Sequence, residues 1–263
     1  MMANALVGFA LALGVALLAR RAGALTAGGA VAATVSGTVA FAAGWVWAAL
    51  LVAFFTSSSL LSRVRARDRA RRLAGRIAKA GPRDATQVVA NGGVFVLAAL
   101  AWLVHPLMAW QCVGAAGIAA SAADTWATEL GTLSPAPPRS ILTGRIVHAG
   151  TSGGVTPLGL LAGLAAAAFI AVVAGVPGWP WQAALAAFAG GIAGCLADSL
   201  LGAALQVRRR CERCGMATEQ VVHRCGTPTI VTGGLTWLDN DGVNAASTSI
   251  GALLGGGLGY LLS

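Results

Sequence analysis

Five acidic side chains, Asp124, Glu129, Asp198, Asp239 and Asp241, fall at or near the ends of three long apolar stretches, in a chain with only nine acidic residues. Ionisable groups at membrane depth are costly, so they mark functional positions. Two of them sit on four-residue stripes of small residues: Ala116, Ala120, Asp124, Thr128 and Gly190, Gly194, Asp198, Gly202. Four-residue spacing keeps a helix face aligned, so each stripe carries one carboxylate on a seam that another backbone can approach. Asp241, Asn244 and Thr248 share a face in the same way, as do Thr125 and Glu129. Carboxylates beside hydroxyls and carboxamides form an oxygen-only donor set suited to Mg²⁺. This reading assigns Asp124, Asp198, Asp239 and Asp241 to the cation, with Glu129, Asn91, Asn240 and Asn244 as supporting polar groups. Asp239 has a second reading, as the N-cap of the last helix.

Between two apolar stretches runs Thr143-Gly144-Arg145-Ile146-Val147-His148-Ala149-Gly150-Thr151-Ser152-Gly153-Gly154-Val155-Thr156. A turn rich in glycine and hydroxyls that enters a helix can offer backbone N–H groups and a favourable dipole to an anion. Thr151, Ser152, Gly153 and Gly154, with Arg145 and with Thr128 and Ser199 on the neighbouring stretches, are the expected phosphate contacts. Mg²⁺, backbone amides and arginine are the parts that phosphoryl transfer requires. His148 reads as an ordinary loop residue and His105 as interfacial.

A third set is Cys211-x2-Cys214 followed by His223-x-Cys225. Three thiolates and one imidazole can close around tetrahedral Zn²⁺, and the flanking arginines favour thiolate. Cys112 and Cys195 read instead as small buried apolar residues.

The elements that must position these groups follow from charge and hydropathy. At 57% apolar and 10% charged residues, the chain lies outside soluble composition. The uncharged stretches 1–19, 22–62, 85–123, 146–197 and 242–263 are long enough for one, two, two, two and one membrane helices. The fold class is therefore all-α: a polytopic bundle of about eight transmembrane helices, at 3–19, 24–42, 45–62, 88–104, 110–130, 155–175, 181–205 and 241–262. Gly44-Trp45, His105-Pro106 and Val176-Pro177-Gly178-Trp179-Pro180 mark the hairpins. All 18 Lys and Arg residues fall in alternate interruptions, which makes those loops cytoplasmic and puts both termini outside. Trp45, Trp47, Trp102, Trp110, Trp179 and Trp181 suit the opposite interface.

Residues 1–263 thus read as a single integral domain of the cell (inner) membrane. It carries an Arg-rich cytoplasmic loop at 63–87 and a small Cys/His knuckle at 207–238. The first loop, with Arg63, Arg65, Arg67, Arg69, Arg71, Arg72 and Arg76, reads as a connector at the lipid surface, where some arginines could bind phosphate. The net charge of +9 follows loop parity rather than a groove, which argues against nucleic acid. Reduced cysteines fit cytosolic loops. The shared Ala-Asp-Thr and Ala-Asp-Ser of 123–125 and 197–199 suggest a parallel duplication, and the 36 glycines allow close packing within one chain or in a homo-oligomer.

Five stretches in order resemble the integral-membrane family that includes phytyl-phosphate kinase, long listed as a domain of unknown function. They are Ala123–Gly131, Gly150–Thr156, Leu196–Gly202, the Cys211–Cys225 knuckle, and Trp237–Asp241 with Val243-Asn244. The resemblance implies transfer of a phosphoryl group from a nucleoside triphosphate, with Mg²⁺, to an isoprenoid alcohol monophosphate. The phytol and dolichol kinases look similar in design and often use CTP, so the donor stays open between CTP and others. The isoprenoid tail is expected along the small-residue seams. Two rival readings are an ion-coupled transporter that uses Asp124 and Asp198, and a lipid-phosphate phosphatase or transferase that uses no nucleotide.

Overall fold

A computed structural model describes residues 2–64, 66–73, 75–79, 81–176 and 178–262, without the side chains of 2–4, 69 and 70. Arg65 and the side chain of Arg69 in the arginine-rich loop, and Pro177 in the third hairpin turn, lie outside the described residues. The helices are α1 Met2–Arg21, α2 Ala27–Ala43, α3 Trp45–Arg63, α4 Ala66–Leu73, α5 Ala85–Val104, α6 Met108–Gly131, α7 Pro157–Gly175, α8 Trp181–Ala204 and α9 Asn240–Leu261. Each expected span has its helix, with no end displaced by more than three residues. By length and composition, α3, α5, α7 and α8 are each long and apolar enough to cross a membrane.

Local chemistry sets these ends. Between α2 and α3, Gly44 takes φ 137°, a backbone region that side chains disfavour, and its N–H reaches the Ala40 and Phe41 carbonyls. Thr26 caps α2 and Thr156 caps α7, which opens on Pro157. Asp84 and Gln87 form a reciprocal capping box on α5. Asp239 caps α9 by accepting from the Gly242 amide, as its second reading held. The loops also hold short antiparallel sheets that an all-α reading did not include. One pairs β1 Arg139–Ser140 with β2 Gly154–Val155. The other orders β3 Arg208–Arg210, β4 Ala217–Thr218 and β5 Ile230–Gly233 as β4-β3-β5.

The core centres on α6, which packs on α5, α7, α8 and α9. Both small-residue stripes lie in that core and face each other. A methyl group at Gly190 would sit 2.6 Å from the Ala116 Cβ, and one at Gly194 would meet Ala120 and come 3.0 Å from the Ser247 carbonyl. The expected seam is therefore filled by helix against helix, which is how membrane helices gain dispersion energy without a hydrophobic drive. It leaves no groove there for a lipid tail.

At the end opposite the Arg-bearing loops, Trp47 is 1% exposed and packs against Phe95, Trp102 and Trp179, at 4.8 Å from the last. Trp47 and Trp179 are therefore core residues, not interfacial rings, because α6 offers Gly114 as a recess for the Trp47 indole. Trp45 and Trp181 are each 61% exposed.

Candidate functional site

The loops that follow α1, α3, α6 and α8 meet around one polar cavity of about 790 Å³. Asp124 and Asp198 line it from α6 and α8, their carboxyls within mutual hydrogen-bond reach. The Ser247 hydroxyl of α9 donates to Asp198 Oδ1 at 3.2 Å. Both helices have 24 residues, and the two aspartates stand at nearly the same depth, seven and six residues before the helix ends. That equivalence is what the shared Ala-Asp motif anticipates.

Glu129, Thr128, Ser199, Asn240, Asp239, Asp241 and the run Thr151 to Gly154 also line the cavity. Their carboxylates do not all converge, however. Glu129 Oε1 accepts from the Ser62 hydroxyl at 2.6 Å. Asp239 is engaged on the Gly242 amide at 3.0 Å. Asp241, 6% exposed, is ion-paired with Lys79, which also holds Asp84 at 2.8 Å. The reason is rotational: Thr248, two turns after Asp241 on the same face, donates to the Ala90 carbonyl of α5, whereas Ser247 faces α8. Asp241 therefore joins the α5 side, away from the Asp124–Asp198 pair.

Three expected contacts lie outside the cavity lining. Arg145 is exposed in the turn after β1, where its carbonyl accepts from the Ser140 amide. The Asn91 amide donates to Gln87 at 2.8 Å within α5. The Asn244 carbonyl accepts from Ser247 and Thr248. Among the described residues, the cations that do line the cavity are Arg63, Arg72, Lys79 and Arg83, all from the arginine-rich segment. Arg72 straps that segment to the turn after α6 through the Thr132 and Ser134 carbonyls, at 3.2 and 3.1 Å.

The glycine loop is shaped by close approach. Gly153, at φ 72°, lies against α8, where a methyl group would come 2.6 Å from the Ser199 carbonyl. Gly150, at φ 80°, lies against Leu73. Two of the loop's amides are spent on its own turn: Thr151 on the His148 carbonyl and Gly154 on the Thr151 carbonyl.

Glu219, a residue that sequence reasoning missed, joins the loops. Its Oε1 accepts from the Ser152 hydroxyl at 2.8 Å and from Gln206 at 2.7 Å, while Oε2 accepts from the Ala78 amide at 3.2 Å. Burial pushes its carboxyl above the usual range, and those hydrogen bonds pull the other way. Its only sequence signal was an acidic residue in the cysteine loop.

In that loop, the ligand atoms of Cys211, Cys214, His223 and Cys225 lie within 4.8 Å of one another, a group that could hold a metal ion. Among the described residues, no other set of three or more His, Cys, Asp or Glu side chains converges in this way. Cys211 Sγ is 3.6 Å from Cys225 Sγ, which is 3.2 Å from His223 Nδ1. Hydrogen bonding with Thr227 and His223 holds the Cys225 thiol down to about 5, while its hydrogen bond with Cys225 pushes the Cys214 thiol up to about 11, so without a metal the group favours thiolate at Cys225 and thiol at Cys214. His223 Nε2 is buried beside Gly75 of the arginine-rich segment.

These features define a multi-pass helical membrane protein with a charged cavity at one end of its bundle. The sequence matches the family described as integral membrane protein DUF92 over residues 10–252, and the chain belongs to that family. It is 33% identical to Protein PGR of Arabidopsis thaliana, over 82% of this chain and 83% of the plant protein. It is 30% identical to an uncharacterized membrane protein of Methanocaldococcus jannaschii, over 91% of this chain and 88% of the archaeal one. No solved structure matches.

Proposed function

We propose that this protein is a Mg²⁺-dependent kinase that transfers the γ-phosphoryl group of a nucleoside triphosphate, CTP or another, to an isoprenoid alcohol monophosphate. The observation that carries this reading is the facing pair Asp124 and Asp198 in a cavity that also holds a glycine loop and several cations. Two carboxyls in reach of each other, with a hydroxyl on one of them, are a hard-oxygen set that fits Mg²⁺. When bound there, the ion would neutralise charge on the phosphoryl oxygens. The protein's own part is positioning: Asp124 and Asp198 hold the donor end, Thr151 to Gly154 cradle phosphate, and Lys79, Arg72 and Arg83 balance charge. An oxygen of the acceptor monophosphate attacks the γ-phosphorus. The bond to the bridging oxygen breaks, and its electron pair leaves with the nucleoside diphosphate. An anionic acceptor is already a nucleophile, so no general base is required.

In this reading the eight long helices all span the cell membrane, both termini lie outside, and the cavity opens to the cytoplasm. A transporter would need its charges near mid-membrane, whereas the aspartates stand about two turns from the helix ends. Purified protein incubated with phytyl or geranylgeranyl phosphate, Mg²⁺ and each of four γ-labelled triphosphates should yield labelled diphosphate. Unlabelled phosphate and free isoprenoid alcohol as the sole products would favour a phosphatase, and vesicle flux without either product would favour the transporter.

The Cys211, Cys214, His223 and Cys225 group is assigned to structural Zn²⁺ in the same reading. Elemental analysis should find about one zinc per chain, and the Cys211→Ser, Cys225→Ser double variant should have lost it. Equal metal content in the two proteins would remove the assignment.

A further inference from the structure

Among the described residues, Arg63 and Arg83 are the cavity's two cations with a single side-chain hydrogen bond, and Arg83 stands out because it is partly buried, whereas Arg63 is exposed and donates to the Ala22 carbonyl at 3.3 Å. Lys79 is paired with Asp84 and Asp241, and Arg72 bridges two carbonyls. Arg83 is partly buried and lines the cavity, yet its side chain makes one hydrogen bond among the described residues, to Ser59 Oγ at 3.4 Å. Glu129 acts on it only at longer range, its Oε1 being taken by Ser62. The backbone around Arg83 is fixed, by a parallel bridge to Leu25 and by main-chain bonds with Ala24 and Thr26. An arginine on a fixed backbone at the wall of a cavity, with one hydrogen bond from its guanidinium, can serve as a receptor for a phosphate-type anion.

We propose that Arg83 and Ser59 form the subsite for the phosphate of the lipid monophosphate acceptor, an assignment that rests on the kinase reading for its role in transfer. Position selects the lipid over the nucleotide. The subsite lies where the α1–α2 turn meets the last turns of α3, which packs on α2, α7 and the Asp124-bearing α6, whereas Asp198 and Ser247 lie beyond it on α8 and α9. Beside Ser59, Leu60 is 63% exposed on the outer surface of α3. A phosphate on Arg83 would therefore place its hydrocarbon tail next to an exposed apolar face of α3, while the donor's phosphates occupy the aspartate side.

The test measures binding without nucleotide, so that it stands apart from transfer. Calorimetric titration of the purified full chain in detergent uses geranylgeranyl monophosphate, geranylgeraniol and inorganic phosphate. The monophosphate should bind wild type and the Gly257→Leu control alike, and roughly 10- to 100-fold more weakly to Arg83→Gln, with Arg83→Lys between them. Should Arg83→Gln not purify as a folded protein, Ser59→Ala should still weaken binding by about 3- to 10-fold. Unchanged affinity in the purified variants overturns the subsite, as does inorganic phosphate binding as tightly as the lipid. Arg83-dependent binding in a protein that transfers no label would retain the subsite and refute the kinase reading.

Discussion

Asp198→Asn protein, purified at wild-type yield, should transfer phosphoryl groups at least ~10³-fold more slowly than wild type. The substitution is nearly isosteric, and the Ser247 hydroxyl can still donate to the remaining oxygen. What it removes is one of two facing carboxyls in the wall of the cavity, and with it a hard-oxygen ligand for the proposed cation. The folded protein loses no packing, so its thermal unfolding temperature should stay close to that of wild type. Asp124→Asn should behave in the same way. Asp241→Asn should differ, because that buried carboxylate is ion-paired with Lys79; Lys79 keeps Asp84 and solvent, so stability should fall modestly along with rate. A rate assay across Mg²⁺ concentrations, run beside a melt of each variant, separates these outcomes. Wild-type turnover in Asp198→Asn at every Mg²⁺ concentration would end the proposed role of the pair.

Gly194→Leu should leave little or no folded protein. Even a methyl group at this position runs into Ala120 and lies 3.0 Å from the Ser247 carbonyl, and both neighbours belong to helices that cannot retreat without opening the core. Overpacking typically costs about 1–3 kcal/mol per misfit, and a whole isobutyl group between three helices exceeds that range. The control is Gly257→Leu on α9, where nothing lies within 4 Å of the added carbon. Its melting temperature in detergent should match wild type. If Gly194→Leu runs as a single stable peak in gel filtration with an unaltered melt, the three-helix seam is not what holds the fold together.

Much of the helix pattern was legible because charge and turn residues are so unevenly distributed. Arg20-Arg21, Gly44, His105-Pro106 and Asp239 punctuate otherwise continuous apolar chain, and each ends or starts a helix as it should. The Asp124–Asp198 pairing was legible for a related reason: small residues every four positions define one face, and a carboxylate on that face must meet whatever packs there. Legibility failed where position depends on tertiary partners. Trp47 carries the same signal as Trp45, and only the recess at Gly114 decides that one is core and the other surface. Arg145 and Arg83 are equally plausible cations in sequence. One ends in an exposed β-turn, the other is pinned beside Leu25 by bonds that no periodicity encodes. Glu219 was hidden in the cysteine loop because its partners, Ser152, Gln206 and Ala78, come from three other segments. The Asp241, Asn244, Thr248 face was read correctly as a face, but nothing in the sequence says that it looks at α5.

The close contacts of Gly190 and Gly194, together with the Trp47 aromatic cluster beyond them, have a directional meaning. The hollow of the molecule is a blind alley: it is open at the arginine-bearing end and plugged by interlocked backbone and indole toward the other. If the kinase proposal holds, reactant and product would use that same opening, and turnover would need no swing between two oppositely open shapes.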